Sequence, residues 1–284
     1  MSNHPVTFGI VTGQHHLTWE QVRDQWKLAE ELKFDSLYLF DHFSGLYGSQ
    51  EAPCLEASTL LAALALETNS AGIGVMVYGN THRNPALLAK EIVTIDHLSG
   101  GRAILGIGAG WNENEHRWYG FDLPRPGLRV RQFDEALTII NGLMTHDRFS
   151  FQGEFYTIDD APFQPKPLQK RIPVLVGGKQ PKMLRVVAKH ADMWDGGGKL
   201  PDRTARVEEL QRACDEVGRD FDEIVQSQGF GASAILNRDT LDEVITSHLE
   251  AGVRHFHFDM PLTPEEQEIV RDVATDILPK YRTL

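Results

Sequence analysis

Eight times along this 284-residue chain a short apolar run leads into a turn and then into a longer stretch of helical periodicity. That alternation restricts the fold more than any other feature. A strand, a helix and a second strand return the chain to the same sheet edge, so neighbouring strands run parallel. The first run is Val6-Thr7-Phe8-Gly9-Ile10-Val11; the others fall at 36–40, 73–78, 102–108, 173–176, 193–195, within 225–234, and at 255–258. Helix signals fill the gaps. Thr18 with Gln21 three residues on forms a capping box, as does Thr263 with Glu266. Pro85 opens a third helix, where its missing N–H costs nothing. Further helices are expected at 55–67, 181–190, 203–217, 240–251 and 264–281. An open, doubly wound sheet is the rival, but eight units favour closure into an α/β fold of the (β/α)8 TIM-barrel type, which needs roughly 250 residues. The expectation is therefore a single domain over 1–284.

The rhythm breaks once, between strands four and five. Residues 113–119 and 129–146 read as helices, 149–158 alternates about Gly153 like a hairpin, and Pro162, Pro165 and Pro167 make an extended connector. This stretch, about 111–172, is expected to be an insertion over the barrel mouth.

A net charge of −12 argues against nucleic acid or an anionic membrane as partner. Cys54 and Cys214 have no CxxC spacing, so they are expected to be free thiols rather than metal ligands. The longest apolar run, 60–66, is too short to span a bilayer. Residues 1–13 lack the basic-then-apolar pattern of a secretory signal. A cytoplasmic enzyme acting on a small molecule is the expectation.

Active sites of such barrels lie at the carboxyl ends of the strands. Here those ends deliver Gly13 to His16, Asp41 and His42, Gly79 to Thr81, Gly108 to Asn112 with Glu115, Gly177 to Lys179, Gly196 to Gly198, and Asp259. Gly177-Gly178 precedes a helix start near Pro181, and a helix amino end favours a phosphate. Lys179, Lys182 and Lys199 add positive charge locally. The pattern suggests a phosphate-bearing ligand, although tight turns alone would also require these glycines. The Gly106-x-Gly108-x-Gly110 run is a weak dinucleotide signal without its acidic partner, and no phosphate-binding P-loop exists. His255 and His257 share one face of strand eight, but the residues that follow strands five and six, Gly177 to Lys179 and Gly196 to Gly198, include no His or carboxylate to complete a metal site; no metal is expected. His42, beside Asp41, is a candidate proton donor or acceptor, with Asp41 either orienting it or capping the turn.

Four segments together resemble the bacterial luciferase-like superfamily, and within it the branch that uses the deazaflavin coenzyme F420. They are Leu39-Phe40-Asp41-His42-Phe43, Arg83-Asn84-Pro85 through Lys90, Leu98-Ser99-Gly100-Gly101-Arg102 running on through Gly110-Trp111-Asn112-Glu113-x-Glu115-His116, and Pro173-Val174-Leu175-Val176-Gly177-Gly178 with Ala191-Asp192-Met193-Trp194. The resemblance implies an eightfold barrel with coenzyme F420 at its mouth, FMN being the alternative. It implies a bulge with a non-proline cis peptide at Met76-Val77. It places the cofactor phosphate on Gly177, Gly178, Gly196 and Gly197, and the ring near Asp41, His42, Asn80, Gly108 and Gly110. His42 is the first catalytic candidate; Glu115 and His116 are the nearest candidates for a further general acid, although Glu115 would equally suit the first turn of its helix, where the dipole favours it. The branch acting on sugar phosphates has a glutamate immediately after the glycine matching Gly110, where this chain has Trp111, so that substrate is not expected. An FMN-dependent monooxygenase with a partner reductase, or a non-catalytic cofactor binder, are the other readings. A homodimer is the family default.

Overall fold

The computed structural model describes residues 4–196, 198 and 200–283. Its strands are β1 (Thr7–Val11), β2 (Ser36–Leu39), β3 (Gly72–Val75), β4 (Tyr78–Gly79), β5 (Ala103–Gly108), β6 (Arg148–Gln152), β7 (Thr157–Pro162), β8 (Val174–Gly177), β9 (Met193–Asp195), β10 (Val225–Phe230) and β11 (His255–Asp259). The helices are α1 (Trp19–Glu31), α2 (Ala57–Glu67), α3 (Pro85–Ser99), α4 (Glu113–Tyr119), α5 (Pro126–Thr145), α6 (Pro181–His190), α7 (Leu200–Val217), α8 (Ala232–Leu236), α9 (Arg238–Glu250) and α10 (Pro264–Asp276).

Nine strands pair in parallel, and pairing of β3 with β5 closes the ring. Because β3 and β4 form one interrupted stave, the closed sheet is an eight-stave (β/α)8 barrel. The local signals act as expected. The Thr18 side chain accepts from the Gln21 N–H while Gln21 accepts from Thr18 N–H, and Thr263 and Glu266 repeat the exchange; such caps contribute ~1 kcal/mol each. α3 starts at Pro85 under an Asn84 cap and stops at Gly100, whose φ of 69° is left-handed.

Period-two alternation sorts β1 and β11 into two faces. Phe8 meets Phe256 on the helix-facing side, where Trp26 of α1 is also fully buried. The inward face is polar. His255 Nδ1 pairs with the Thr7 hydroxyl at 2.8 Å and its Nε2 with the Tyr38 hydroxyl at 3.2 Å, while His257 Nε2 lies 2.8 Å from Asp195. Burial pushes His255 down to about 3, so its imidazole is neutral at ordinary pH. Both histidines are thus satisfied inside the barrel.

Three expectations shift. The seventh strand ends at Phe230, and 232–236 is the short helix α8; an Ala-Ser-Ala-Ile-Leu run is too short for periodicity to tell strand from helix. The last helix ends at Asp276, before a single 3-10 turn at Leu278–Lys280, because Pro279 disfavours helical backbone in the residue before it. Within 111–172, α5 starts at Pro126 and takes the outer-ring place between α3 and α6. The β6–β7 hairpin lies along α5, with Glu135 accepting the N–H groups of Glu154 and Phe155 at its tip. The inserted material is therefore α4 with its loops and this hairpin.

Candidate functional site

A cleft of about 950 Å³ opens at the carboxyl edge of the barrel, between the ends of β2, β4, β5 and β8 and the starts of α5 and α6. Its floor is nearly free of side chains. The third stave breaks at a non-proline cis peptide between Met76 and Val77, at the bulge expected there. Val77 lies against two backbone segments that carry no side chain: a Cβ on Gly108 would stand 3.0 Å from one Val77 methyl, and a Cβ on Gly177 3.3 Å. The result is an apolar step flanked by backbone that carries no side chain, suited to a planar ligand. Gly110 has φ +85°, and a Cβ there would collide with the Thr81 hydroxyl; that hydroxyl bonds His116 Nε2 at 2.7 Å. Glycine at 110 thus lets the β5 loop fold down against the β4 loop.

His42 forms one wall. Its Nδ1 lies 2.6 Å from Glu115 Oε2, and Glu115 is fully buried. The second carboxylate oxygen accepts from Phe43 N at 2.9 Å and Ser44 N at 3.3 Å. Burial pushes the Glu115 carboxyl up, but the bonds from His42 and the Phe43 and Ser44 amides outweigh it and hold the group below the usual carboxylate range. An ionised Glu115 only accepts, so His42 donates from Nδ1. Its Nε2 faces the cleft with no protein partner among the described residues. Glu115 reaches this position from the first turn of α4, where Asn112 caps its N–H.

Asp41 does not orient His42. Its carboxylate receives Gly79 N at 2.8 Å, His82 Nδ1 at 3.0 Å and both terminal nitrogens of Arg83 at 2.6 and 2.8 Å. Burial opposes ionisation, yet His82 and Arg83 bring Asp41 down to about 2. Arg83 also pairs with Glu56 at 2.7 Å and covers the Tyr78 ring. Asp41 lines the cleft, but its polar capacity is spent tying the β2 end to the β4 loop rather than holding a ligand.

The starts of α5 and α6 add positive charge. Arg129 of α5, and Lys179 and Lys182 at the start of α6, line the cleft. The charged groups of these three side chains have no ion pair or hydrogen bond among the described residues, whereas most other arginines are paired. The amino end of α6 carries no side-chain cap; Pro181 has no N–H and Met183 N–H donates to Gln180 O at 2.8 Å, so within the first turn the Lys182 amide is the one left for an anion among the described residues. The glycines expected to cradle a phosphate are placed differently. Gly177 and Gly178 line the cleft, but Gly178 N–H already donates to Asp195 O at 3.1 Å. Gly196 lies outside the lining; it makes room for Trp194, whose indole N–H donates to Gly178 O at 2.8 Å. Gly197 and Lys199 lie outside the described residues. Asn80 is buried and off the cleft wall: its N–H donates to Gly108 O at 2.9 Å, and its side-chain nitrogen has no partner. Gln14 is spent on the backbone of Phe40, and His15 Nδ1 accepts from Leu46 N.

Sequence reasoning missed Arg129 and the Pro126-Gly127 turn as site elements, because α5 had been assigned to an insertion. Pro126, a favoured first helical residue, was the available signal. It also missed that Arg83 closes on Asp41, a contact between two loops that no spacing reveals.

Fold and cleft define a (β/α)8 barrel with a flat, cation-edged pocket at its carboxyl mouth. The chain belongs to the luciferase-like monooxygenase family, whose sequence profile matches residues 5–271. It is 30% identical over 280 residues to the F420-dependent glucose-6-phosphate dehydrogenase of Microbacterium testaceum, covering 94% of this chain and 77% of that one. It is 28% identical over 187 residues to the FMNH2-dependent dimethylsulfone monooxygenase of Pseudomonas putida, covering 65% of this chain and 51% of that one. Among solved structures, an F420-dependent secondary alcohol dehydrogenase in complex with an F420–acetone adduct superposes with a TM-score of 0.85, covering 97% of this chain and 98% of that one at 19% identity; at that identity the likeness establishes the fold. The family is thus one of oxidoreductases that includes both F420-dependent members and FMN-dependent monooxygenases. No helix among the described residues is long and apolar enough to cross a membrane.

Proposed function

We propose that this protein is an F420-dependent oxidoreductase that moves a hydride between the deazaflavin and a small organic substrate, with His42 exchanging the accompanying proton. One observation carries the reading: a histidine locked by a buried carboxylate presents Nε2 to a flat cleft whose far wall bears three unpaired cations. The cleft suits the cofactor on its own terms. A tricyclic ring matches the step made by Val77 between Gly108 and Gly177. The bare start of α6 with Lys179, Lys182 and Arg129 matches a tail that carries a phosphate and several carboxylates, more charge than the single phosphate of FMN needs. When bound, the deazaflavin gives or takes a hydride, and the protein supplies position and electrostatics.

The residues then divide the work. Val77, Gly108 and Gly177 seat the ring. Arg129, Lys179 and Lys182 neutralise the tail. Glu115 fixes the tautomer and orientation of His42, and His42 Nε2 gives or takes a proton at the substrate. The Asp41–Arg83 pair holds the β2 and β4 ends in register beneath them.

Side-by-side fluorescence titrations of the purified protein with F420 and FMN test this. Micromolar or tighter binding of F420, with FMN at least tenfold weaker, is expected. The reverse order would replace the reading with that of an FMN-dependent monooxygenase.

A further inference from the structure

The cleft has a third side that the cofactor reading leaves unused. Trp111 follows Gly110 at the end of β5, lines the cleft and is 65% exposed. A large indole open on a cavity wall offers a ligand apolar, stackable surface. Its ring meets the His42 imidazole with centroids 5.6 Å apart and planes at 72°. The two rings form a corner, so a flat guest lying along Trp111 turns its edge toward His42.

Charge separates this corner from the α5–α6 wall. The loop from Phe40 to Glu56 contains no lysine or arginine. The β4 loop contributes only Arg83, which is consumed by Asp41 and Glu56. The β5–α4 segment contributes only Arg117, bonded to Asn114 on the exposed face of α4. Among the described residues these loops therefore offer a substrate no free cation. A phosphorylated or carboxylated substrate would have to share Arg129, Lys179 and Lys182 with the cofactor tail.

We infer that Trp111 selects the substrate: a planar, uncharged, conjugated molecule stacks on its indole and presents an edge atom to His42 Nε2. This rests on the reading of the remaining cleft as the deazaflavin seat. An aromatic face favours offset stacking of flat guests.

The test uses the full chain loaded with F420, with coumarin, indole and 1-tetralone as flat neutral probes and glucose 6-phosphate as the charged comparison. Cofactor affinity is measured first in the wild type, Trp111→Ala and Trp111→Phe. Probe affinity is then read by calorimetry, and contact with Trp111 by quenching of tryptophan emission. Comparable cofactor binding in all three proteins is expected, with at least one flat probe binding more tightly than glucose 6-phosphate. Trp111→Ala should weaken that probe about tenfold. Trp111→Phe should hold it within about threefold while losing the quenching. The inference is overturned if no flat probe binds, if glucose 6-phosphate binds more tightly, or if Trp111→Ala binds the probes like the wild type while still taking up cofactor. Failure of the wild type to bind F420 would remove the cofactor seat, and this inference with it.

Discussion

Replacing Glu115 with glutamine is the sharpest probe of the chemistry, because it keeps shape and removes only the charge and one acceptor. Glu115 now uses both oxygens: one takes two backbone N–H groups, from Phe43 and Ser44, and the other takes His42 Nδ1 at 2.6 Å. A glutamine has one acceptor oxygen. Two fixed backbone donors hold it on their side, so the amide NH2 faces His42. The imidazole must then turn its Nδ1 lone pair toward that NH2 and carry its proton on Nε2. A charge-assisted hydrogen bond of ~1.5–3 kcal/mol gives way to a neutral one of ~0.5–1.5, so the protein should lose about 1–2 kcal/mol and still fold. Turnover should fall by ~10²–10⁴, the usual worth of a positioned acid–base group, while cofactor affinity stays within a few-fold. Long-range proton–nitrogen NMR of the imidazoles reads the cause directly, with no substrate needed. The wild type should show His42 protonated on Nδ1, and Glu115→Gln should show it on Nε2. A wild-type His42 with its neutral proton on Nε2, or a Glu115→Gln enzyme of full activity, would refute the reasoning.

Asp41→Asn should cost ~3 kcal/mol in denaturant unfolding, because Arg83 is left buried with Glu56 as its remaining close partner; a cost under 1 kcal/mol would show that the cluster carries little. The same group gives an acid limb: its carboxyl is depressed from 3.8 to about 2, so its stabilisation of about 2 kcal/mol is fully present above pH ~4 and lost as pH falls toward 2, a loss in thermal melts that Asp41→Asn should lack. Gly110→Ala meets both a positive φ and the Thr81 hydroxyl and should cost at least ~1–2 kcal/mol together with a distorted cleft; unchanged melting and unchanged cofactor affinity would show the loop to be pliable there. Lys182→Ala and Arg129→Ala should each weaken F420 by about tenfold at low ionic strength and much less at 1 M salt, where screening acts within ~3 Å; salt-independent affinity would move the anionic tail elsewhere.

Much of this architecture was legible before any coordinates. Strands of a parallel barrel are buried on both faces and read as short apolar runs bounded by turns, so all eight staves were countable. The boundary between β10 and α8 was not, since five small apolar residues satisfy either pattern. The break at Met76-Val77 was accessible only through the family likeness, because Val-Met-Val-Tyr looks like uninterrupted strand. His42 and Glu115 were both identified, but their direct bond spans 73 residues of sequence and depends on how α4 docks on the β2 loop. Asp41 was misjudged for a related reason: its neighbour in sequence is His42, yet its charge is met by Arg83 and His82 from another loop. Local patterns report local structure, and the pairing of loop ends around a barrel mouth is long-range packing.

The placement of Glu115 separates the two tasks of the mouth. The proposed ring seat is made of stave ends, Val77 with Gly108 and Gly177, and these are fixed by barrel closure itself. The proton-handling pair is completed from α4, an element the barrel does not need in order to close. Trp111 stands in the same segment, four residues before Glu115. On the proposed reading, a change in the 111–119 stretch should alter which substrate is taken and which way the imidazole faces, while leaving the backbone proposed to seat the ring and the start of α6 in place. A barrel of this kind can keep one seat for a cofactor and still change substrate, because loops whose packing the barrel does not dictate can carry the residues that choose.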